Sequence, residues 1–241
     1  TLGAVTSGSQ IVTLALRPPD NGSVAMVPAG AVAHQALVLE TDRLRIVTLT
    51  DANRRLVANL ADAPIADVVI DESSELETGA GAAERFERAI DEWLVLCAGL
   101  LVGIASTAHR VTCAYARERH AWDTPIGSFQ AVAHPLANGA VNIDGARLLT
   151  QKAAWELDRN GPRGRELVST AFAFAAETAR DVTYDAVHFH GGYGFTVESD
   201  LQLFYRRARG WARIWGEPAM GYQRAGDSRY LGEEGTGSRG L

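Results

Sequence analysis

The stretch that decides the fold covers residues 103–134 and runs GIASTAHRVTCAYARERHAWDTPIGSFQAVAH. Its first part contains few helix-breaking residues and predicts a helix that ends at Arg119. Pro125 then predicts a turn, because proline cannot continue a helix. A second helix is expected to begin near Ser128, with Gln130 in its first turn. The stretch therefore predicts two helices joined by a short turn.

Toward the C-terminus the helical periodicity continues with few interruptions. Helix stops are predicted at Asn160-Gly161-Pro162 and at Gly191-Gly192, where proline or glycine breaks the pattern. Long helices with short connections form antiparallel bundles. The sequence thus predicts an antiparallel four-helix bundle over residues 81–225 and a flexible tail over 226–241, which is rich in Gly, Ser and charge. The four helices are expected at roughly 83–119, 128–159, 163–190 and 198–214.

Residues 1–80 follow a different pattern, in which short β-like runs alternate with turn signals such as Pro18-Pro19-Asp20-Asn21-Gly22. The stretch 72–81, rich in Gly, Glu and Thr, is the predicted linker to the helices. The predicted fold class is therefore mainly α: a small antiparallel β domain followed by an antiparallel four-helix bundle. Strands are expected at Ile11–Leu16, Val24–Val27, Ala36–Leu39, Leu44–Thr48 and Ala66–Ile70.

Composition excludes several classes of function. The chain has 241 residues, 46% of them hydrophobic and 22% charged, as in an ordinary soluble protein. Its net charge of −6 leaves no continuous basic face, so no nucleic acid partner is expected. No apolar run reaches the ~18 residues of a membrane span, so no membrane association is expected. Cys97 and Cys113 fit neither a zinc site nor a redox pair, and the predicted location is the reducing cytoplasm.

Two ordered motifs carry a resemblance to a known family. The first consists of Gly103-Ile-Ala, Tyr115-Ala-Arg-Glu-Arg119 and Pro125-Ile-Gly-Ser-Phe-Gln130, and the second is His188-Phe-His-Gly-Gly-Tyr-Gly-Phe195. Together they resemble the C-terminal helical domain of the acyl-CoA dehydrogenases. The resemblance implies a flavoenzyme with FAD as its cofactor. It also implies that the first 80 residues are a reduced middle β domain, so we expect this chain alone not to hold a whole flavin.

The resemblance assigns the adenine and pyrophosphate side of FAD to residues of these two motifs. Arg119 would donate to pyrophosphate oxygens as a forked cation, and Gln130 would add an amide at a helix N-terminus, which already favours an anion. Phe129 would pack beside them, and His188 stands where the family usually has glutamine. The lack of side chains at Gly191-Gly192 would let the backbone approach the cofactor closely.

The same residues have plainer explanations. Arg119 could form a surface ion pair with Glu118 or Asp123, and the two glycines could cap a helix. The aromatic-glycine pair that follows the arginine in the family is also replaced here, by Trp122-Asp123.

The reaction of the family needs a carboxylate that removes the α-proton of the acyl-CoA. The two positions at which family members carry it fall on Trp93 and Trp215, and tryptophan cannot accept a proton. Glu217 would serve only after a two-residue shift of its loop and is the weak catalytic candidate. Asp91 falls where the family often has an aspartate and is the candidate substrate contact.

The leading hypothesis is a base-lacking subunit of an α2β2 acyl-CoA dehydrogenase, similar to the partner subunits of actinobacterial heterotetrameric enzymes. A homologous subunit would supply the base, the substrate would be an acyl-CoA such as that of a steroid side chain, and an electron-transfer acceptor would take the electrons. One alternative is a self-sufficient homo-oligomer that uses Glu217 or Asp91. The other is a non-enzymatic helical scaffold in which the motifs are relics and the bundle dimerises.

Overall fold

The computed structural model describes residues 2–71 and 73–231. The chain divides into two compact units. One comprises the residues up to Glu92 together with Ile214–Gly216, and the other comprises Trp93–Arg213 and the residues from Glu217. The fold is mainly helical, with a small β region ahead of long helices, which confirms the predicted fold class.

The β region begins with a short helix, α1 (Leu2–Thr6), and its strands form two sheets. The strands run over Val12–Leu14 (β1), Ser23–Val27 (β2), Gln35–Glu40 (β3), Arg43–Thr48 (β4), Arg54–Leu56 (β5), Ala66–Val69 (β6) and Ser73–Thr78 (β7). One sheet has four strands in the order β1-β3-β4-β7, and the other has three strands in the order β2-β6-β5.

The core of this region is built from strands in which buried and more exposed side chains alternate. In β3, Ala36 and Val38 are fully buried, and Val47 of β4 packs with them. Val24 of β2 and Val68 of β6 belong to the same buried cluster. The two sheets therefore share one hydrophobic core.

Two features of the β region correct the sequence prediction. β1 pairs with β3 in parallel, so the region is not purely antiparallel. The stretch 72–81, predicted as a linker, contains β7, which pairs with β4, and the next helix already begins at Ala80. Residue 72 itself lies outside the described part of the chain. The sequence of β7, SSELET, does not predict a strand because it is polar, and its pairing comes from backbone hydrogen bonds to β4.

Long helices make up the rest of the described chain: α2 (Ala80–Glu118), α3 (Gln130–Asp158), α4 (Gly164–His190), α5 (Asp200–Ala212) and α6 (Ala219–Tyr230). α2 and α3 are joined by a two-stranded hairpin, β8 (His120–Ala121) and β9 (Thr124–Pro125), and a 3₁₀ turn, Ile126–Ser128. A second 3₁₀ turn, Gly191–Phe195, follows α4. Four of the helices correspond to the predicted ones, with ends that differ by a few residues.

α4 is the central helix of the second unit. It packs against α3, α5 and α6, and small buried residues such as Ala171, Ala175 and Ala179 allow these close approaches. Ala108 of α2 joins Ala186 of α4 and the first turn of α5 in one apolar cluster. The C-terminal end of α4 is therefore held by neighbours on several sides.

The predicted flexible tail begins too early, because α6 continues to Tyr230. The rest of the predicted tail, 232–241, lies outside the described residues. The sequence does not predict α6, since two glycines lower its intrinsic helix propensity. One of them, Gly221, lies so close to α4 that a Cβ there would be 2.7 Å from the Ser169 carbonyl oxygen. α6 is therefore stabilised by its contact with α4.

By length and composition alone, α2 would pass as a membrane span, with a mean hydropathy of 1.7 in its most apolar window. However, 56% of that window is buried inside the protein. A core helix of a folded domain has the same composition, because it buries an apolar face against its neighbours.

Candidate functional site

The first motif forms the end of α2 and a tight hairpin. The Arg119 N–H donates to the Tyr115 carbonyl oxygen at 2.8 Å, and the Ile126 N–H donates to the Arg119 carbonyl oxygen at 2.8 Å. The two turn residues, Trp122 and Asp123, both have positive φ, 49° and 61°. This is the backbone of a type I′ turn, whose twist matches that of the hairpin strands. Backbone hydrogen bonds thus fix the position of Arg119 on both sides.

The Arg119 side chain is exposed. Within residues 2–71 and 73–231 it forms no hydrogen bond and no ion pair, so the surface pairs with Glu118 or Asp123 are not found there. An exposed guanidinium with no carboxylate partner keeps all five donors free for an anion. This is the state that a forked phosphate contact requires.

α3 begins directly after this hairpin. Phe129 is its N-cap residue, with an extended backbone, and no side chain from the described part of the chain caps the helix. The exposed side chain of Gln130 therefore lies at a helix N-terminus, where free N–H groups and the helix dipole favour negative charge. Phe129 meets the ring of Trp122 edge-on, with 6.0 Å between ring centroids, and 89% of Trp122 is exposed.

The second motif lies at the C-terminal end of α4. Gly191 is the C-cap residue with φ 62°, a conformation that favours glycine, so the helix-cap explanation holds. A Cβ at Gly191 or Gly192 would meet no atom of the described residues within 4 Å, so the space over this turn is also open to a ligand. The exposed His188 ring lies parallel to that of Tyr184, at 6.0 Å between centroids and 4° between planes.

A cleft of about 320 Å³ opens beside the two glycines. Four aromatic rings, those of Tyr184, His188, Phe195 and Tyr205, line it together with the glycine turn. Aromatic walls beside an exposed backbone suit a planar ring, because stacking requires no matching hydrogen bonds.

One ring contact brings the two motifs together. The rings of Tyr115 and His190 are stacked, with 4.0 Å between centroids and 22° between planes. Tyr115 precedes Arg119 by one helical turn, and His190 directly precedes Gly191. The exposed arginine and the glycine turn, which lie far apart in the sequence, are therefore neighbours in the fold.

His190 is buried, with 7% of its surface exposed. Burial lowers the pKa of His190 below its ordinary value, although a backbone hydrogen bond opposes this effect. The ring is therefore neutral at neutral pH. Its Nδ1–H donates to the Ala186 carbonyl oxygen at 2.8 Å, since a carbonyl can only accept.

The two carboxylate candidates lie in different surroundings. Glu217 is exposed over 65% of its side chain, and Arg213 Nε donates to both of its oxygens at 2.9 Å and 3.1 Å. Both carboxylate oxygens of Glu217 therefore already accept from one guanidinium N–H. Asp91 on α2 is buried, with 4% of its surface exposed, and it already interacts with another group of the protein. Neither environment resembles that of a general base with an accessible lone pair.

Sequence reasoning assigned no site role to Tyr115, His190 or Gly194, which connect the two motifs. A Cβ at Gly194 would lie 2.7 Å from the Val187 carbonyl oxygen and 2.9 Å from the His190 Cβ, so only glycine fits there. Their positions in the two motifs could have drawn attention to them, because Tyr115 lies one turn before Arg119 and Gly194 belongs to the glycine-rich motif. Their mutual contact is tertiary and leaves no mark on sequence spacing.

Comparison with known proteins places this chain in a family. Residues 79–217, more than half of the chain, match the model of the acyl-CoA dehydrogenase C-terminal domain. A probable acyl-CoA dehydrogenase, YngJ of Bacillus subtilis, is 34% identical over 176 residues, which are 72% of this chain and 46% of the relative. The chain therefore spans about half the length of that relative.

Two solved structures share the fold. The Tcur3481-Tcur3483 steroid ACAD, in its G363A variant, aligns with a TM-score of 0.84 and 23% identity, over 97% of this chain and 71% of that chain. The ChsE4-ChsE5 complex of Mycobacterium tuberculosis aligns with a TM-score of 0.78 and 22% identity, over 98% of this chain and 69% of that chain. At these identities the likeness concerns the fold alone. The family match, supported by the shared fold, shows that the chain belongs to the acyl-CoA dehydrogenase family.

Proposed function

We propose that this chain is a subunit of an FAD-dependent acyl-CoA dehydrogenase and completes the cofactor site of a heterotetramer with a homologous, base-carrying subunit. The proposed reaction is α,β-dehydrogenation of an acyl-CoA thioester. The steroid ACAD and the ChsE4-ChsE5 complex among the structural relatives favour a steroid side-chain thioester and a two-subunit assembly. An electron-transfer acceptor would reoxidise the enzyme, and the cytoplasm stays the predicted location.

The observation that carries the proposal is the pairing of the two motifs through the stacked rings of Tyr115 and His190. Among the described residues, it joins a guanidinium without a partner, a helix N-terminus without a side-chain cap and a glycine turn with open space beside an aromatic cleft. Such a set fits a ligand that has both a diphosphate and planar rings. FAD has this composition, so the described residues fit the cofactor that the family uses.

In this proposal each residue has a defined task. Arg119 would neutralise pyrophosphate charge with charge-assisted hydrogen bonds, and Gln130 with the N–H groups of the first turn of α3 would bind the same anion. His188 would present its ring to the adenine side, and Phe129 would exclude water beside the phosphates. When bound, FAD supplies the acceptor for the hydride that leaves the β-carbon of the substrate.

The surroundings of the carboxylates support a base from the partner subunit. Both family base positions carry tryptophan, Trp93 and Trp215, and both oxygens of Glu217 accept from Arg213 Nε. A general base must have a free oxygen within hydrogen-bond reach of the proton it removes. Asp91 would then contribute to substrate binding rather than to proton transfer.

The test is the FAD content and FAD affinity of the complex co-purified with its partner. We expect Arg119→Ala to weaken FAD binding about 10- to 100-fold, because hydrogen bonds to charged groups contribute about 1.5–3 kcal/mol. Arg119→Lys should recover part of this loss, since lysine keeps the charge without the fork.

The matched control is Arg117→Ala, which removes another exposed arginine from the last turn of α2. Arg117 lies in the last turn of α2, whereas Arg119 follows the end of that helix, so the control removes the same charge at a neighbouring position. The control should retain its flavin. Equal FAD affinity in the Arg119→Ala and wild-type complexes would refute the proposed function.

A further inference from the structure

Three segments of the second unit converge on His190. From α2, the ring of Tyr115 stacks on the imidazole at 4.0 Å. Within α4, the Ala186 carbonyl oxygen accepts the Nδ1–H at 2.8 Å, which fixes the rotation of the ring. From the 3₁₀ turn, Gly194 lies so close that a Cβ would be 2.9 Å from the His190 Cβ.

This arrangement does more than fill space. A phenylalanine could pack against Tyr115, but only histidine also donates a hydrogen bond from its ring to the last turn of α4. The hydrogen bond and the stack together define one ring orientation for a group that is 7% exposed. Because the interior is close-packed, a ring locked in this way transmits its position to the backbone on both sides.

The backbone on both sides carries proposed cofactor contacts. His190 is bonded to Gly191, whose φ of 62° sets the direction of the glycine turn. Tyr115 lies one turn before Arg119 and accepts its N–H at 2.8 Å. A displacement of either ring would therefore change the distance between the guanidinium and the glycine turn.

We propose that the Tyr115–His190 stack is a positioning device that holds the two cofactor-binding segments in register, with His190 as a positioning residue. The inference rests on the proposed function, because it concerns the same FAD site. Neither ring needs to contact FAD. Their contribution is preorganisation, since binding groups held in place by packed neighbours lose less entropy when the ligand binds.

The experiment measures FAD affinity in the co-purified complex for variants of the stack. His190→Ala removes both the ring and its hydrogen bond, and we expect FAD to bind about tenfold more weakly, because both contacts that orient the ring are lost. His190→Phe keeps the ring and loses only the hydrogen bond, so its FAD affinity should lie between those of the wild type and His190→Ala. Tyr115→Leu should resemble His190→Ala, and Tyr115→Phe should resemble the wild type.

A structural control separates positioning from general destabilisation. Phe172 is a fully buried residue of the same helix, about 27 Å from His190 along the axis. Phe172→Leu should lower the melting temperature without changing FAD affinity. If loss of FAD follows the melting temperature in every variant, Phe172→Leu included, the positioning role is wrong.

Arg119→Ala distinguishes the two levels of the argument. If Arg119→Ala weakens FAD binding and His190→Ala does not, the positioning inference fails and the proposed function stands. If neither variant changes FAD affinity, the proposed function fails as well. The inference is supported when His190→Ala loses FAD affinity, His190→Phe retains more of it than His190→Ala, and Phe172→Leu leaves it unchanged.

Discussion

Two glycines of α6 provide a matched pair that tests how this helix is held. At Gly221 a Cβ would lie 2.7 Å from the Ser169 carbonyl oxygen and 3.0 Å from the Ala173 Cβ, both on α4. At Gly226, in the same helix, a Cβ would meet no described atom within 4 Å. Alanine should therefore have opposite effects at the two positions.

The magnitudes follow from two terms. Replacing glycine by alanine inside a helix gains about 0.5–1 kcal/mol in either variant. Overpacking against fixed backbone costs about 1–3 kcal/mol, and only Gly221 has such a neighbour. A shift of α6 would also lengthen two hydrogen bonds to α4, from Tyr222 to Glu177 at 2.7 Å and from Arg224 to Ser169 at 3.0 Å. We expect Gly221→Ala to lose about 1–2 kcal/mol and Gly226→Ala to gain about 0.5–1 kcal/mol.

The assay is urea unfolding followed by circular dichroism, with thermal melts of the same variants as a second measure. Comparable slopes against urea would show that the substitutions change the free energy of unfolding and not the surface exposed on unfolding. If Gly221→Ala is as stable as Gly226→Ala, the close contact between α6 and α4 is absent in solution. Contact with α4 would then not be what stabilises α6.

Three further predictions concern charged and titratable groups. Glu217→Gln should leave the turnover of the assembled enzyme within about twofold of the wild type, because we assign the base to the partner; a loss of several orders of magnitude in a stopped-flow assay would return that role to Glu217. The Arg163 guanidinium, through a hydrogen bond, holds the pKa of Glu166 below its ordinary value. The charged Glu166 therefore stabilises the folded state fully above its ordinary pKa, and this contribution is lost as the pH falls through the pKa of the folded state. Glu166→Gln should therefore lower stability at pH 7 by about 1 kcal/mol and flatten the acid limb of the stability curve; an unchanged acid limb would contradict this. His190 has a pKa lowered from 6.5 by burial, so the unfolded chain binds the proton first and the folded state loses stability as pH falls below about 6.5. In thermal melts at several pH values, His190→Phe should lack this loss of stability at low pH. The same pH dependence in His190→Phe and the wild type would show that the ring is not buried in solution.

The four helices α2 to α5 were predictable because their signals are local. Apolar residues recur with helical spacing over long stretches, and proline or glycine marks the ends, as at Pro125 and Gly191. β5 and β7 were not predictable, because Arg54-Arg55-Leu56 and SSELET show no alternation of apolar and polar residues. Their pairing depends on backbone hydrogen bonds with neighbours that the sequence does not identify.

The candidate site was predictable in its parts and not in its assembly. The residue types of the two motifs identified Arg119 and the glycine turn as family features. The stack of Tyr115 on His190 depends on how α2 and α4 cross, which no local pattern encodes. The type I′ turn at Trp122-Asp123 could not be predicted either, because glycine or asparagine normally marks that conformation and neither is present here.

The measurement that tests the central claim most directly is the visible absorption spectrum of the chain purified alone and after co-expression with a homologous, base-carrying subunit. We expect flavin absorbance only in the co-purified complex, with a loss of that absorbance in Arg119→Ala and its retention in Arg117→Ala. Flavin bound by the chain alone would contradict the shared site. It would return the search for a base to Glu217 and Asp91.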